Sequence, residues 1–269
     1  MSPLTAEQGT TLSVISLPTR ENAVEVPWDG GIATSRGIFG FDSMDARSRS
    51  FNLIRARLLE LEAKKGWRLI GVVSATPNVG KSFISANVAA SLSRDPRYQT
   101  YVVDLDLRRG SLSDFYGLSP ELGIRDYLEG APGAEVPAAY RPEGERLLIM
   151  PTAAGRIHSA ELIAGERAQV LLRSMRVSDE KNLFIFDLPP VFANDDAVTA
   201  MARLDAYIVV AEEGKTKQRE VNDAVKLLGE SRLAGVVLNK YRGGLVSEGY
   251  GVDDYYAAGY GESDSKRKA

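Results

Sequence analysis

Ser74-Ala75-Thr76-Pro77-Asn78-Val79-Gly80-Lys81-Ser82 follows the apolar run Leu69-Ile70-Gly71-Val72-Val73. It leads into Ile84, Val88, Ala89 and Leu92, which recur at helical spacing. A buried strand, a tight turn and a helix opening on Gly-Lys-Ser is the layout of a phosphate-binding P-loop. Successive backbone N–H groups and a helix N-terminus form a concavity that suits anions. In such a loop Lys81 reaches the terminal phosphates and the Ser82 hydroxyl ligates Mg²⁺. The expected nucleotide-binding segment is therefore Thr76, Pro77, Asn78, Val79, Gly80, Lys81, Ser82 and Phe83. The loop departs from GxxxxGK[ST]: Ala75 holds the first glycine position and Pro77 sits inside the turn.

The rest of the composition sets broad limits. A chain of 269 residues, 44% hydrophobic and 26% charged, has the make-up of an ordinary globular protein with one full core. Its net charge of −3 provides no electrostatic footprint for nucleic acid. The absence of cysteine removes disulfides, thiol catalysis and zinc–thiolate sites together. No apolar run approaches the roughly 20 residues needed to span a bilayer, and the N-terminus lacks a basic-then-apolar signal pattern. The expected location is the cytoplasm, with any approach to the inner membrane made through a partner.

Working outward from the loop, residues 1–44 mix Pro, Gly, Ser and Thr without periodicity and read as a flexible arm. Trp28, Ile38, Phe39 and Phe41 could dock as a short segment within it. Phe51, Ile54, Leu58 and Leu61 recur at helical spacing between 45 and 65, with Gly66 as the stop. Apolar strands are expected at 68–74, 101–105, 147–151, 183–187, 206–211 and 234–239. Helices are expected at 82–94, 159–175, 195–203 and 217–231, with short ones near Ser111–Phe115 and Arg125–Leu128. Continuous apolar strands alternating with helices indicate an α/β fold, a mostly parallel central sheet flanked by helices on both faces. The P-loop domain then occupies 45–240, and 241–269 is a flexible tyrosine-rich tail.

Metal ligands are expected where strands end. Tyr101-Val-Val-Asp104-Leu-Asp106-Leu-Arg108 is a strand followed by two acids, and Leu183-Phe-Ile-Phe-Asp187-Leu-Pro-Pro190 is a second strand ending in one. Ligands of open α/β sheets bind just beyond the carboxyl ends of parallel strands. An acid there holds Mg²⁺ directly or through its water.

The three segments SATPNVGKS, VVDLDLRRG and FIFDLPPVFANDDA resemble the bacterial tyrosine kinases of polysaccharide export, within the MinD/ParA-like P-loop ATPases. The similarity runs over roughly residues 50–241, through Asp196-Ala197, Glu213 to Thr216 and Gly235 to Lys240. The resemblance implies ATP and Mg²⁺ as cofactors, with Lys81 and Ser82 on phosphate and metal, and Asp106 and Asp187 managing the metal. It further implies that Asp104 orients or deprotonates a tyrosine hydroxyl and that Asn239 reads adenine. MinD and ParA proteins carry a signature lysine where this chain has Thr76, which favours the kinase branch. The tail tyrosines Tyr250, Tyr255, Tyr256 and Tyr260 correspond to the family's autophosphorylation cluster. By the same resemblance the partners are a separate membrane polysaccharide co-polymerase, further copies of the chain and a tyrosine phosphatase.

Two departures qualify the likeness. Asn78-Val79 stands where the family's loop more often has Gly or an acid and then a small residue such as Ala, although Asn tolerates the left-handed conformation better than other non-glycine residues. The helix over 49–58 matches the family's E-x-x-R-x-x-R assembly pattern only at Arg55. The competing functional readings are a MinD/ParA-like ATPase switch and a catalytically weakened nucleotide-binding regulator.

Overall fold

A computed structural model of the protein describes residues 13–152 and 158–241. The chain runs through β1 (Val24–Val26), α1 (Gly30–Ser35), α2 (Arg49–Lys65), β2 (Leu69–Ser74) and α3 (Lys81–Ser93). It continues through β3 (Gln99–Asp104), α4 (Leu112–Tyr116), α5 (Ile124–Glu129), β4 (Tyr140–Pro142) and β5 (Leu148–Met150). The last elements are α6 (Ser159–Ala164), α7 (Glu166–Val177), β6 (Asn182–Asp187), α8 (Asp196–Met201), β7 (Ala206–Glu212), α9 (Gln218–Leu228) and β8 (Leu233–Asn239).

Among the described residues the eight strands form one sheet in the order β1-β4-β5-β3-β6-β2-β7-β8. All neighbours pair in parallel except β4 with β5. All six residues of β2 are buried, as a central strand covered on both faces requires. One side of the sheet holds Val73, Val103, Phe184, Phe186 and Val209 against α5, α7, α8 and α9. The other holds Ile70, Val72, Val102, Ile185 and Ile208 against α2 and α3. Each such side chain stabilises the fold by about 1.5–3 kcal/mol relative to leaving it in water. Gly66 ends α2 at φ 66°, its N–H donating to the Glu62 carbonyl, which is the expected left-handed stop.

Two expectations are corrected. The segment read as a flexible arm is structured from residue 13 onward: β1 adds to the sheet edge and the chain then crosses α3. Asn87 of α3 holds that crossing, accepting from the N–H groups of Phe39 and Gly40 and donating to the Gly37 and Phe83 carbonyls. A Cβ on Gly40 would lie 2.2 Å from the Asn87 carbonyl oxygen, so only glycine permits this approach. Trp28 then packs on Phe41 and Tyr116. The single helix expected over 159–175 is two, because Gly165 adopts extended backbone (φ −66°, ψ 168°) between α6 and α7. No helix among the described residues is long and apolar enough to cross a membrane.

Candidate functional site

The carboxyl ends of β2, β3 and β6 converge on one rim, and the turn from β2 into α3 forms its centre. Asn78 and Gly80 give that turn its shape, at φ 63° and 92°. Asn78 is one of two non-glycine residues at positive φ among the described residues, and Asn is among the types that best tolerate it. Gly80 has a second constraint: a Cβ there would come within 2.2 Å of the Asn239 side-chain nitrogen. The Asn239 amide donates to the Val79 carbonyl (2.8 Å), so the end of β8 braces the loop from behind.

Lys81 begins α3 and lies buried, its ammonium 3.5 Å from Asp106 Oδ2 and 3.9 Å from Asp187 Oδ1. Ser82 Oγ donates to Asp187 Oδ2 at 2.5 Å and lies 3.1 Å from Ser111 Oγ. One turn later Ser85 presents its hydroxyl to Asp187 Oδ1 (3.0 Å) and to the Lys81 carbonyl (3.1 Å). Asp104 is fully buried beside Asp187 in the β3–β6 register, and it accepts only backbone N–H groups, those of Asp106 and Leu112 at 3.1 Å each.

Burial raises the pKa of Asp104 well above the ordinary 3.8, and the adjacent negative charge of Asp187 pushes the same way. Burial also raises Asp187, but Lys81 and the Ser82 hydroxyl oppose it. The cleft therefore concentrates three acids and one ammonium at the N-terminus of a helix, where unpartnered N–H groups favour an anion. An all-oxygen set of one hydroxyl and two carboxylates has the donor chemistry of a hard divalent cation such as Mg²⁺.

The structure thus gathers Lys81, Ser82, Asp104, Asp106, Asp187, the turn and Asn239. It separates the Phe83 ring from them: that ring packs between Phe39, Phe51 and Phe115, leaving only its backbone at the loop. Sequence reading missed Ser85 and Ser111. The i, i+3 spacing of Ser82 and Ser85 was the available signal, since it puts both hydroxyls on one helix face. It also missed a neighbouring network in which Arg108 Nε donates to Ser159 Oγ (2.8 Å) and Ser159 donates to the buried Asp196 (2.5 Å). The tail tyrosines Tyr250, Tyr255, Tyr256 and Tyr260 lie outside the described residues.

The model of the CobQ/CobB/MinD/ParA nucleotide binding domain matches residues 53–251, which include every site element above. The chain belongs to that family. The chain is 28% identical over 77% of its length to a putative tyrosine-protein kinase EpsB of Ralstonia nicotianae, covering 27% of that protein. It is 31% identical over 64% of its length to the succinoglycan biosynthesis transport protein ExoP of Rhizobium meliloti, covering 22% of it. The chain thus spans about a quarter of the length of these curated relatives. Among solved structures, the kinase domain of the Escherichia coli tyrosine kinase ETK superposes with a TM-score of 0.64. That match has 20% identity and covers 82% of this chain and 92% of that one, which establishes the shared P-loop α/β fold. The turn Thr76–Ser82 between β2 and α3 lies within the residues matched by that family.

Proposed function

We propose that this chain is an ATP- and Mg²⁺-dependent protein-tyrosine kinase that phosphorylates the tyrosine-rich tail of neighbouring copies. The observation that carries the reading is Asp104: a buried carboxylate of raised proton affinity, with no ion-pair partner among the described residues, beside the turn between β2 and α3. A general base works best when its pKa lies near the operating pH, and burial moves this acid in that direction. The relative named as a tyrosine kinase, EpsB, supports the same class.

In this reading the loop and Lys81 hold the phosphates of ATP, and Asn239 and the Val79 turn set the nucleotide end of the cleft. Ser82, Asp106 and Asp187 would hold Mg²⁺, which when bound neutralises phosphate charge. Asp104 accepts the phenolic proton; the phenol oxygen bonds to the γ-phosphorus as the bond to the β-bridging oxygen breaks and ADP leaves. Such transfer demands mainly positioning and charge stabilisation, which this cleft supplies. Tyr250, Tyr255, Tyr256 and Tyr260 are the acceptors. The chain acts at the inner membrane with a polysaccharide co-polymerase, and a tyrosine phosphatase is the opposing enzyme. The name of ExoP, a succinoglycan biosynthesis transport protein, supports that setting.

Incubation with ATP and Mg²⁺ followed by phosphosite mapping tests the proposal. Phosphate on the tail tyrosines, lost in Lys81→Met and in Asp104→Asn, is the expected result. Release of inorganic phosphate without tyrosine modification would make the chain an ATPase switch instead.

A further inference from the structure

At the opposite end of the sheet from the turn between β2 and α3, α7 and the end of α8 border an open groove of about 400 Å³. It is lined by Gln169, Leu172, Arg173, Arg176, Ala202 and Arg203. The three arginines are not equivalent. Arg176 is a structural residue: it pairs with Asp205 Oδ1 at 2.7 Å and donates to the Arg203 carbonyl. The other Asp205 oxygen accepts from the N–H groups of Arg68 and Leu69, so both oxygens of this acid are already engaged. Arg173 and Arg203, both half-buried, have no carboxylate within ion-pairing distance among the described residues. Two arginines without an ion-pair partner among the described residues thus line one groove together with the buried, apolar Leu172.

That combination selects for an anion carried on an apolar group. Guanidinium forks match phosphate oxygens in pairs, and arginine clusters are the usual readers of phosphorylated peptides. The chain itself contains a segment of fitting chemistry. Between Arg242 and Lys266 it has no basic residue, and it carries four tyrosines together with Glu248, Asp253, Asp254, Glu262 and Asp264.

We propose that the Arg173–Arg203 groove is a phosphotyrosine-binding site that takes the phosphorylated tail of this chain. The proposal rests on the kinase reading for the origin of the phosphate, and it adds a site that reads the product. Because the groove lies at the amino ends of the strands and ATP is assigned to their carboxyl ends, the tail binds without displacing nucleotide. Phosphorylation thereby converts a substrate tail into a link between copies, or between a tail and its own domain.

The test uses a synthetic peptide covering residues 248–262 with Tyr255 phosphorylated, titrated against the dephosphorylated full chain. Micromolar binding is expected, with a loss of about 10–100-fold for the unphosphorylated peptide and for the double variant Arg173→Ala/Arg203→Ala. Unchanged ADP binding and thermal melting would show that the double variant is folded. Failure of that variant to fold would move the comparison to Arg173→Gln/Arg203→Gln. A phosphoserine version of the peptide should bind more weakly, because it cannot cover Leu172. Self-association of the phosphorylated chain that depends on concentration identifies the tail of a second copy; its absence alongside peptide binding identifies the chain's own tail. No binding, binding that the double variant keeps, or Arg-dependent binding of phosphatidylserine vesicles without phosphopeptide binding would overturn the site. Since the phosphate is installed chemically, failure here leaves the kinase reading standing, and failure of kinase activity leaves the groove testable.

Discussion

Asp104 and Asp187 occupy equivalent places, paired in register at the ends of β3 and β6 and both fully buried, yet the fold treats them differently. Asp187 is built into α3: two serine hydroxyls donate to it, and Lys81 stands 3.9 Å away. Asp104 is tied only to its own loop by two backbone N–H groups. Burial raises the proton affinity of both, but at Asp187 the Lys81 charge and the serine hydroxyls oppose the rise, whereas at Asp104 the adjacent charge of Asp187 adds to it. Equal position and equal burial thus produce a positioning acid on one strand and a proton-hungry one on the next. What differs is the partner set, and a strand end alone does not determine it.

The largest expected effect comes from Asp187. Asp187→Asn removes the charge opposite Lys81 and puts an amide where one serine hydroxyl donates. Partners that orient a metal ligand are commonly worth 10–100-fold in affinity, and Mg²⁺-dependent ADP binding should fall by about that factor or more. Calorimetry with and without Mg²⁺ would measure it; an equal loss in both conditions would mean that Asp187 supports the loop and not the metal. Asp104→Asn should separate from this. Nucleotide affinity should stay within a few-fold while tyrosine phosphorylation falls by about 10²–10⁴, the usual contribution of a general base. A matching loss of ADP binding would erase the contrast between the two acids.

A smaller effect sharpens the same contrast through pH. The folded pKa of Asp104 is raised above the ordinary 3.8, so the native state holds its proton more tightly than the unfolded chain does. Its contribution is intact below that ordinary value and is lost as pH rises through the raised one. The nucleotide-free protein should therefore lose stability toward high pH, and Asp104→Asn should lack that component. The melting-temperature difference, variant minus wild type, should shrink as pH is lowered from about 8 to about 5. A constant difference would show that the proton affinity of Asp104 is ordinary.

Much of this site was readable because its elements are periodic. The apolar strands ending in Asp104 and Asp187, and the turn ending in Gly80-Lys81-Ser82, are local patterns, and the structure places them together. What escaped was set by encounters between distant segments. Strands β1 and β4 are three residues long, too short for alternation to show, and Pro142 closes the second. The packing of residues 28–41 depends on Asn87 and Gly40 meeting across the fold. The partners of Asp187 and Asp196 are serines, which in a sequence look like any helix-start or surface residue. Asn78 was readable in one respect only: its tolerance of positive φ is intrinsic, but its partners Arg109 and Lys240 are not adjacent in sequence.

Those partners frame the smallest prediction. The outer half of the phosphate loop is exposed, unlike the inner half around Lys81. Arg109 donates to Asn78 Oδ1 at 3.0 Å, and Lys240 donates to the Asn78 carbonyl at 2.9 Å while pairing with Glu212 at 3.0 Å. Two cations thus hold one turn, one by its side chain and one by its main chain. An exposed contact of this kind contributes little, and the Lys240 brace remains when it is cut. Arg109→Ala should therefore lower ADP affinity by no more than about threefold and leave melting nearly unchanged. A loss of more than about tenfold would mean that Arg109 acts on the nucleotide phosphates themselves. Binding energy would then come from the exposed rim as well as from the buried acids, and Asn78 would be the residue that aims it.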